Sequence, residues 1–453
     1  MTSEHSTDTL GRIIDTIAAE LEHHHAQSIT TLLQRQKQRQ RQRDEFMTAQ
    51  QMCVALYGLQ GCSDKHAFVR RLVNISADIL HQCADRKEGK SDAVDILTLS
   101  NSVLGLQSMS NKSEEVRCLL GAMSRHLALC DDISASGQQR SMMVDIGTVV
   151  GNCLYGLQRM EMTAINAPND DHLLTLITQI HNLLVVPFSS QFSLDSIQRA
   201  LYGVASMLSS GSPSSSSFPV EATATTSPFL PLLQTVDLLL LRVSVILDFD
   251  FDVDSPDYSR QRPINPEQTD LYRELIPLYQ ALSLLSTVLT GPQCGNLPHH
   301  CTPQMRCITV KLQKLLHHLK PVLPHSDGQY NTTSATERVF YDHIDNYIQQ
   351  HNHQDRMSVH SNEMVDGFST DLLIRVHCSS PSKEVRSVLL NIEIDGPSHQ
   401  FPRKKRFMEL RDGFLKQVHG IDTRRIALQG AGYKGSKLDA TLDDLMDEIS
   451  SML

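Results

Sequence analysis

Along most of the chain, apolar residues recur at the three- and four-residue spacing of an amphipathic helix, and one such pattern returns four times. It reads Ala55-Leu56-Tyr57-Gly58-Leu59-Gln60, Val103-Leu104-Gly105-Leu106-Gln107, Leu154-Tyr155-Gly156-Leu157-Gln158 and Leu201-Tyr202-Gly203-Val204-Ala205. The glycines fall 47, 51 and 47 residues apart, and Val69-Arg70-Arg71-Leu72 follows Gly58 at the offset with which Val116-Arg117-Cys118-Leu119 follows Gly105. A period of roughly 40 to 50 residues fits one helical hairpin per unit, each burying its neighbour's apolar face. In this reading the repeated segment ends the first helix, its glycine lets the paired helix approach closely, and Leu56, Leu104, Leu154 and Leu201 are core. A weaker fifth unit, Leu278 to Leu285, comes late because Ser209 to Ser217 and the acidic stretch Asp248 to Asp257 intervene. Segments rich in Ser, Pro and Asp are expected to be mobile loops, with a disordered insert near 209–228.

From Ser334 the pattern changes. A helix over Glu337 to Gln349 precedes strands at Asp371 to Val376 and Val388 to Asp395, then a polar turn at Gly396 to His399. Phe401 to Val418 starts with cations and carries an apolar stripe at Phe407, Leu410, Phe414 and Val418, which predicts an amphipathic helix. A short strand, Arg425 to Leu428, and a helix from Leu438 to Met452 complete a small α/β unit. The expected organisation is a polar, basic arm over 1–45, an α-helical repeat solenoid over 46–325 and an α/β domain over 334–453.

Composition narrows the class. A chain of 453 residues exceeds one hydrophobic core, and 5% aromatics without Trp argues for helices over a β-sandwich. Ten cysteines without a CxxC pair fit reduced thiols rather than a secreted disulfide framework. The longest apolar run, Leu232 to Leu247, holds Asp237 and Arg242 and is read as too short and too polar to cross a bilayer and better as a buried helix, so no membrane partner is expected. Glu4, Asp8, Asp15, Glu20 and Glu22 outweigh Arg12 near the start, so no organelle transit peptide is readable. The alternating cations of Gln34 to Arg43 spread around a helix and suit a solvated helix or arm, with RNA contact as the alternative. His23-His24-His25, and Cys294, His299, His300, Cys301 and Cys307, lack zinc-ligand spacing.

The net charge of −10 requires any phosphate-binding function to rest on a local patch. Between Pro397 and Lys437 ten basic residues face only Glu409, Asp412 and Asp422, a formal +7. Such a cluster supplies salt-dependent affinity without sequence reading; the bland alternative is a solvated helix face paired with carboxylates.

Asn391-Ile392-Glu393-Ile394-Asp395-Gly396-Pro397-Ser398-His399, followed by the cationic helix and the Arg424-Arg425-Ile426 strand, resembles the RAP domain over about Asp371 to Leu428. The resemblance implies an RNA-binding module closing a helical-repeat array, as in FAST kinase-like and octotricopeptide-repeat proteins, although the repeats here are longer than the octotricopeptide unit. It implies a single-stranded RNA partner, with other RNA-processing proteins as further partners. The implied role is maturation, stabilisation or translation of transcripts in the matrix of a mitochondrion or chloroplast. His399, Arg403, Lys404, Lys405, Arg406, Arg411, Lys416, Arg424 and Arg425 are the expected RNA contacts. The RAP domain is in turn similar to the PD-(D/E)XK nuclease fold, in which carboxylates on adjacent strands hold a divalent metal. Asp371 and Glu393 would be the metal ligands, with Mg²⁺ the candidate ion, and Glu337, Asp371, Glu393 and Asp395 the candidate catalytic set. Asp395 stands where the nuclease pattern has Lys, so binding without cleavage and without a cofactor is the preferred reading. A metal-dependent RNA endonuclease and a protein-binding helical scaffold are the alternatives. The plain structural reading is that Asp371 caps a strand and Asp395 serves a turn.

Overall fold

The computed structural model describes residues 12, 15–20, 48–85, 94–135, 145–162, 172–185, 192–209, 229–251, 269–291, 301–320, 334–379, 385–395, 402–427 and 436–450. The protein is mostly helical, with a small mixed sheet near the C-terminus. Helices α1 (Ala49–Tyr57) and α2 (Ala67–Asp85) form a hairpin, followed by the pairs α3 (Ile96–Leu104) and α4 (Glu114–Ala135), and α5 (Ile146–Gly156) and α6 (His172–Val185). Next come α7 (Leu194–Ser209) and α8 (Phe229–Ile246), then α9 (Thr269–Thr290) and α10 (Thr302–Leu319). The alternating arm 34–43, the insert 210–228, the triplet His23 to His25, and Cys294, His299 and His300 lie outside the described residues.

The sequence echo has a structural counterpart in the first eight helices. α1, α3, α5 and α7 pack in succession, as do α2, α4, α6 and α8, so the hairpins stack in two layers. Thr48 starts the stack with a capping box: Gln51 N–H donates to its hydroxyl (3.2 Å) and Thr48 N–H to Gln51 Oε1 (2.9 Å). The turn after the first helix repeats bond for bond. Leu59, Leu106 and Leu157 N–H donate to the carbonyls of Leu56, Val103 and Leu154, while Cys62, Met109 and Met160 N–H donate to those of Leu59, Leu106 and Leu157. Arg70 and Arg117 recur at one offset because each guanidinium binds the turn carbonyls before it, Asp64 and Lys65 in one case, Asn111 and Lys112 in the other.

Three of the four repeated glycines meet a different helix from the one expected. A methyl built on Gly105 would come within 2.1 Å of Leu56 O, on Gly156 within 2.2 Å of Val103 O, and on Gly203 within 2.2 Å of Leu154 O. The contact is with the equivalent helix of the preceding repeat, not with the partner in the same hairpin. Layer-to-layer stacking brings those backbones closest. Leu56, Leu154 and Leu201 are buried as expected, but in the second unit Val103 holds that place. Leu104 is half-buried, at the position of Tyr57 and Tyr155.

α8 also differs from its reading as too short and too polar. It is the one described helix long and apolar enough, by length and composition, to cross a membrane, and half of it is buried inside the protein. Its charges are engaged there: Arg242 Nη2 donates to Leu184 O (3.1 Å) and lies over the Phe192 ring, while Lys311 Nζ binds Asp237 (2.5 Å).

The chain divides into two compact units, Met1–Pro256 with Val288–Leu312, and Asp257–Thr287 with Gln313–Leu453. The break thus differs from one between 325 and 334, because part of α9, including the fifth-unit segment, groups with the sheet. Gln280 Nε2 donates to Gly367 O (2.7 Å), and Lys320 Nζ binds Asp366 (3.0 Å).

In the second unit, α11 (Ala335–Gln350) leads to β1 (Met357–Ser361), the short strands β2 (Met364–Val365) and β3 (Phe368–Ser369), β4 (Leu372–Ser379) and β5 (Val385–Asp395). Then follow α12 (Pro402–His419), β6 (Ile421–Ala427) and α13 (Ser436–Ser450). The main sheet runs β1-β4-β5-β6, antiparallel except for the parallel β5–β6 pair. A parallel pair needs a long crossover, which α12 provides. The period of two along β5 sends Leu390, Ile392 and Ile394 to one face, into a core with Phe340, Ile344 and Ile348 of α11 and Leu442, Leu445 and Ile449 of α13. Asn391, Glu393 and Asp395 alternate onto the other face, where α12 lies. The β2–β3 hairpin, whose Asp366 and Gly367 both have positive φ, sets Phe368 against Phe414 of α12.

Candidate functional site

Burying the polar face of β5 under α12 removes carboxylates from water, and each must find a partner. Arg411, one of the expected RNA contacts, points inward: its Nη2 lies 2.8 Å from Glu393 Oε2, and its Nη1 donates to Ser369 O (3.3 Å). Asn391 Nδ2 donates to the other Glu393 oxygen (2.9 Å), so both are engaged. Arg425 likewise turns to the network, donating through Nη1 to Asp395 Oδ1 (2.8 Å) and through Nε and Nη2 to the two oxygens of Asp412 (2.9 Å each). Asp412 also faces Arg411 (3.3 Å). The result is a chain of alternating charge, Glu393, Arg411, Asp412, Arg425, Asp395, spanning α12 and the two parallel strands. Side-chain exposure of 11% for Arg411 and 3% for Glu393 makes theirs a buried ion pair.

Asp371, at the entry to β4, accepts the Ile394 N–H through Oδ2 (2.7 Å). That bond ties β4 to β5 and matches the plain structural reading of a capping carboxylate. Burial pushes its carboxyl up to about 6, with Glu393 and then Glu337 adding to the rise and Arg411 opposing it. Burial also raises Asp412 against the pull of Arg411 and Arg425, whereas Arg411 is held above its ordinary value by Glu393 and Asp412 despite burial.

The candidate catalytic set is therefore brought only partly together. Asp371 and Glu393 are neighbours and Glu337 is near enough to raise Asp371, but Glu337 also closes a capping box at the start of α11, its Oε2 accepting from Ser334 N–H (3.0 Å) and its N–H donating to Ser334 Oγ (3.1 Å). Asp395 is bound by Arg425. Glu393 is engaged at both oxygens, and among the described residues no group of three His, Cys, Asp or Glu side chains is placed to hold a metal.

The rest of the cationic set divides. Lys404 and Lys405 are exposed in the first turns of α12. Arg406 pairs with Glu409 (3.2 Å), Lys416 with Asp422, and Arg424 with Glu448 (3.5 Å), with Lys416 and Arg424 half-exposed. His399 and the side chain of Arg403 lie outside the described residues. Asp412, counted in the sequence only against the positive patch, is the residue that joins the two inward arginines. The single signal for it was its position beside Arg411 on a helix whose opposite side is apolar.

No family model matches the chain, and comparison with characterised proteins finds no match.

Proposed function

We propose that the protein binds single-stranded RNA through a RAP-like C-terminal domain, with the stacked hairpins forming a solenoid that lies along the RNA. The observation that carries this reading is the exposed basic start of α12, Lys404 and Lys405, within an acid-poor segment of a chain whose net charge is −10. In such a chain phosphate affinity must come from a local surface. The order of elements from α11 to β6 supports a RAP-like domain, and the bond-for-bond repetition of the turns supports a solenoid. The resemblance extends the proposal to processing, stability or translation of organellar transcripts.

One arrangement favours binding over cleavage: of the two carboxylates that would hold the metal, Glu393 is paired with Arg411 and Asp371 accepts the Ile394 N–H. Ultraviolet crosslinking of the full chain in cells, with sequencing of attached RNA and mapping of the crosslinked peptide, tests the reading. Crosslinks in 402–427 are expected. Absence of RNA, with a protein partner recovered instead, would replace the proposal by a helical scaffold.

A further inference from the structure

Helix α11 ends in a turn that gathers three rings at the surface. His353 N–H donates to Ile348 O (2.9 Å) and Asn352 N–H to Gln349 O (3.3 Å), the two bonds of a Schellman cap, with Asn352 in the left-handed conformation that the cap requires (φ 52°). The reversal at Asn352 folds the chain back on the last turn. His351 stacks on Tyr347 at 4.2 Å between centroids, and His353 lies 6.0 Å from His351 and 6.1 Å from Tyr347, with interplanar angles of 27°, 13° and 37°. Hydrogen bonds hold the rings in place: the Tyr347 hydroxyl meets Ser450 Oγ of α13 (2.7 Å), and His351 Nδ1 donates to Tyr347 O (3.1 Å). Such a cap commonly sets one apolar residue against the final turn. Here that residue and the C-cap are both imidazoles, and His351 is exposed, so the stack offers a ring to solvent instead of closing a core.

What surrounds the rings narrows the ligand. Between Asp345 and Asp355 there is no Lys or Arg, whereas Asn346, Gln350, Asn352 and Gln354 are exposed. A phosphate gains little at such a surface, because its affinity comes from cations. An unpaired base gains twice, by stacking on an aromatic face and by hydrogen bonding its edge to side-chain amides.

This surface is also separate from the basic helix start. β1 and β5 both run antiparallel to β4, so they point the same way. α11 leads into the start of β1, while α12 ends one residue before β6, which runs parallel to β5 with Leu389 beside Ile421. The rings and the Lys404–Lys405 turn therefore lie at opposite ends of the sheet.

We propose that Tyr347, His351 and His353 form a stacking platform for an unpaired base of single-stranded RNA. This rests on the RNA-binding reading and adds a contact to bases where Lys404 and Lys405 contact phosphates.

The test uses the full chain and a fluorescein-labelled single-stranded RNA of mixed sequence, reading affinity, its salt dependence and thermal stability. His351→Ala with His353→Ala is expected to lower affinity about tenfold, the loss of one stacked base, at unchanged salt slope, since no phosphate contact is removed. Its melting temperature should stay near the parent's. His351→Phe with His353→Phe keeps the ring faces and should return affinity to near the parent's value. A loss that phenylalanine does not recover, or one accompanied by a shallower salt slope or a melting temperature several degrees lower, would overturn the proposal. Unchanged affinity in the alanine variant would overturn it while leaving the RNA reading intact; a parent protein that does not bind the RNA would sink both.

Discussion

A methyl group on Gly156 would lie 2.2 Å from the carbonyl oxygen of Val103, one repeat earlier in the chain. Nothing flexible lies between them, so backbone must move to admit even alanine. Gly58 carries the same motif but meets only Ala55 O of its own helix, at 3.2 Å, while Val54 and Tyr57 beside it are 60% and 44% exposed. Among the described residues no earlier repeat lies against it. Gly156→Ala is therefore expected to destabilise the protein by about 1–3 kcal/mol, and Gly58→Ala by less than about 0.5 kcal/mol. Urea unfolding of the two variants provides the check; equal costs at both positions would mean that stacking does not depend on these contacts.

The buried network allows a second comparison. Arg411→Met leaves Glu393 buried with its main partner gone, which is expected to cost about 3–5 kcal/mol, whereas pairing it with Glu393→Leu should recover most of the loss. A double variant no more stable than Arg411→Met would show that the ion pair is not the reason for the arginine.

Asp371 should leave a mark on the pH dependence of stability. Its folded-state carboxyl titrates at about 6, above an unfolded value of about 4. The folded state holds its proton more tightly, so this group's contribution is fully present below pH ~4 and is lost as pH rises through ~6. Asp371→Asn should remove that slope and raise stability at neutral pH by roughly 1–2 kcal/mol, allowing for partial screening. Melting curves across this pH range for parent and variant decide it; parallel curves would mean that the carboxyl titrates normally. In the same assay Mg²⁺ is expected to leave the melting temperature unchanged.

Much of this was legible in the pattern of residues, for definite reasons. The glycine echo and the Val-Arg echo mark positions where backbone contact and turn carbonyls leave little choice of side chain. The alternation of Leu390, Ile392 and Ile394 with Asn391, Glu393 and Asp395 marks a strand with one apolar face, whereas the burial of its polar face under α12 leaves no mark in that pattern. β1 and the β2–β3 hairpin were missed because they are short and polar, although Asp366-Gly367 is a common two-residue hairpin turn. The partners of Gly105, Gly156 and Gly203 were misjudged since one-dimensional spacing does not distinguish a helix in the same hairpin from one in the preceding repeat. Counting charge, likewise, could not tell Lys405, which faces water, from Arg411, which faces Glu393 across a sheet formed by distant segments.

The most direct measurement is the affinity of the purified full chain for single-stranded RNA as a function of salt, for the parent and for Lys404→Gln/Lys405→Gln. These side chains lie on the surface, so the substitutions should leave the fold intact. The parent is expected to bind, with affinity falling steeply as salt rises, and the variant to bind all sequences more weakly with a slope shallower by roughly 0.7 per lost contact. A parent that does not bind RNA, or a variant whose affinity and salt slope match the parent's, would contradict that expectation.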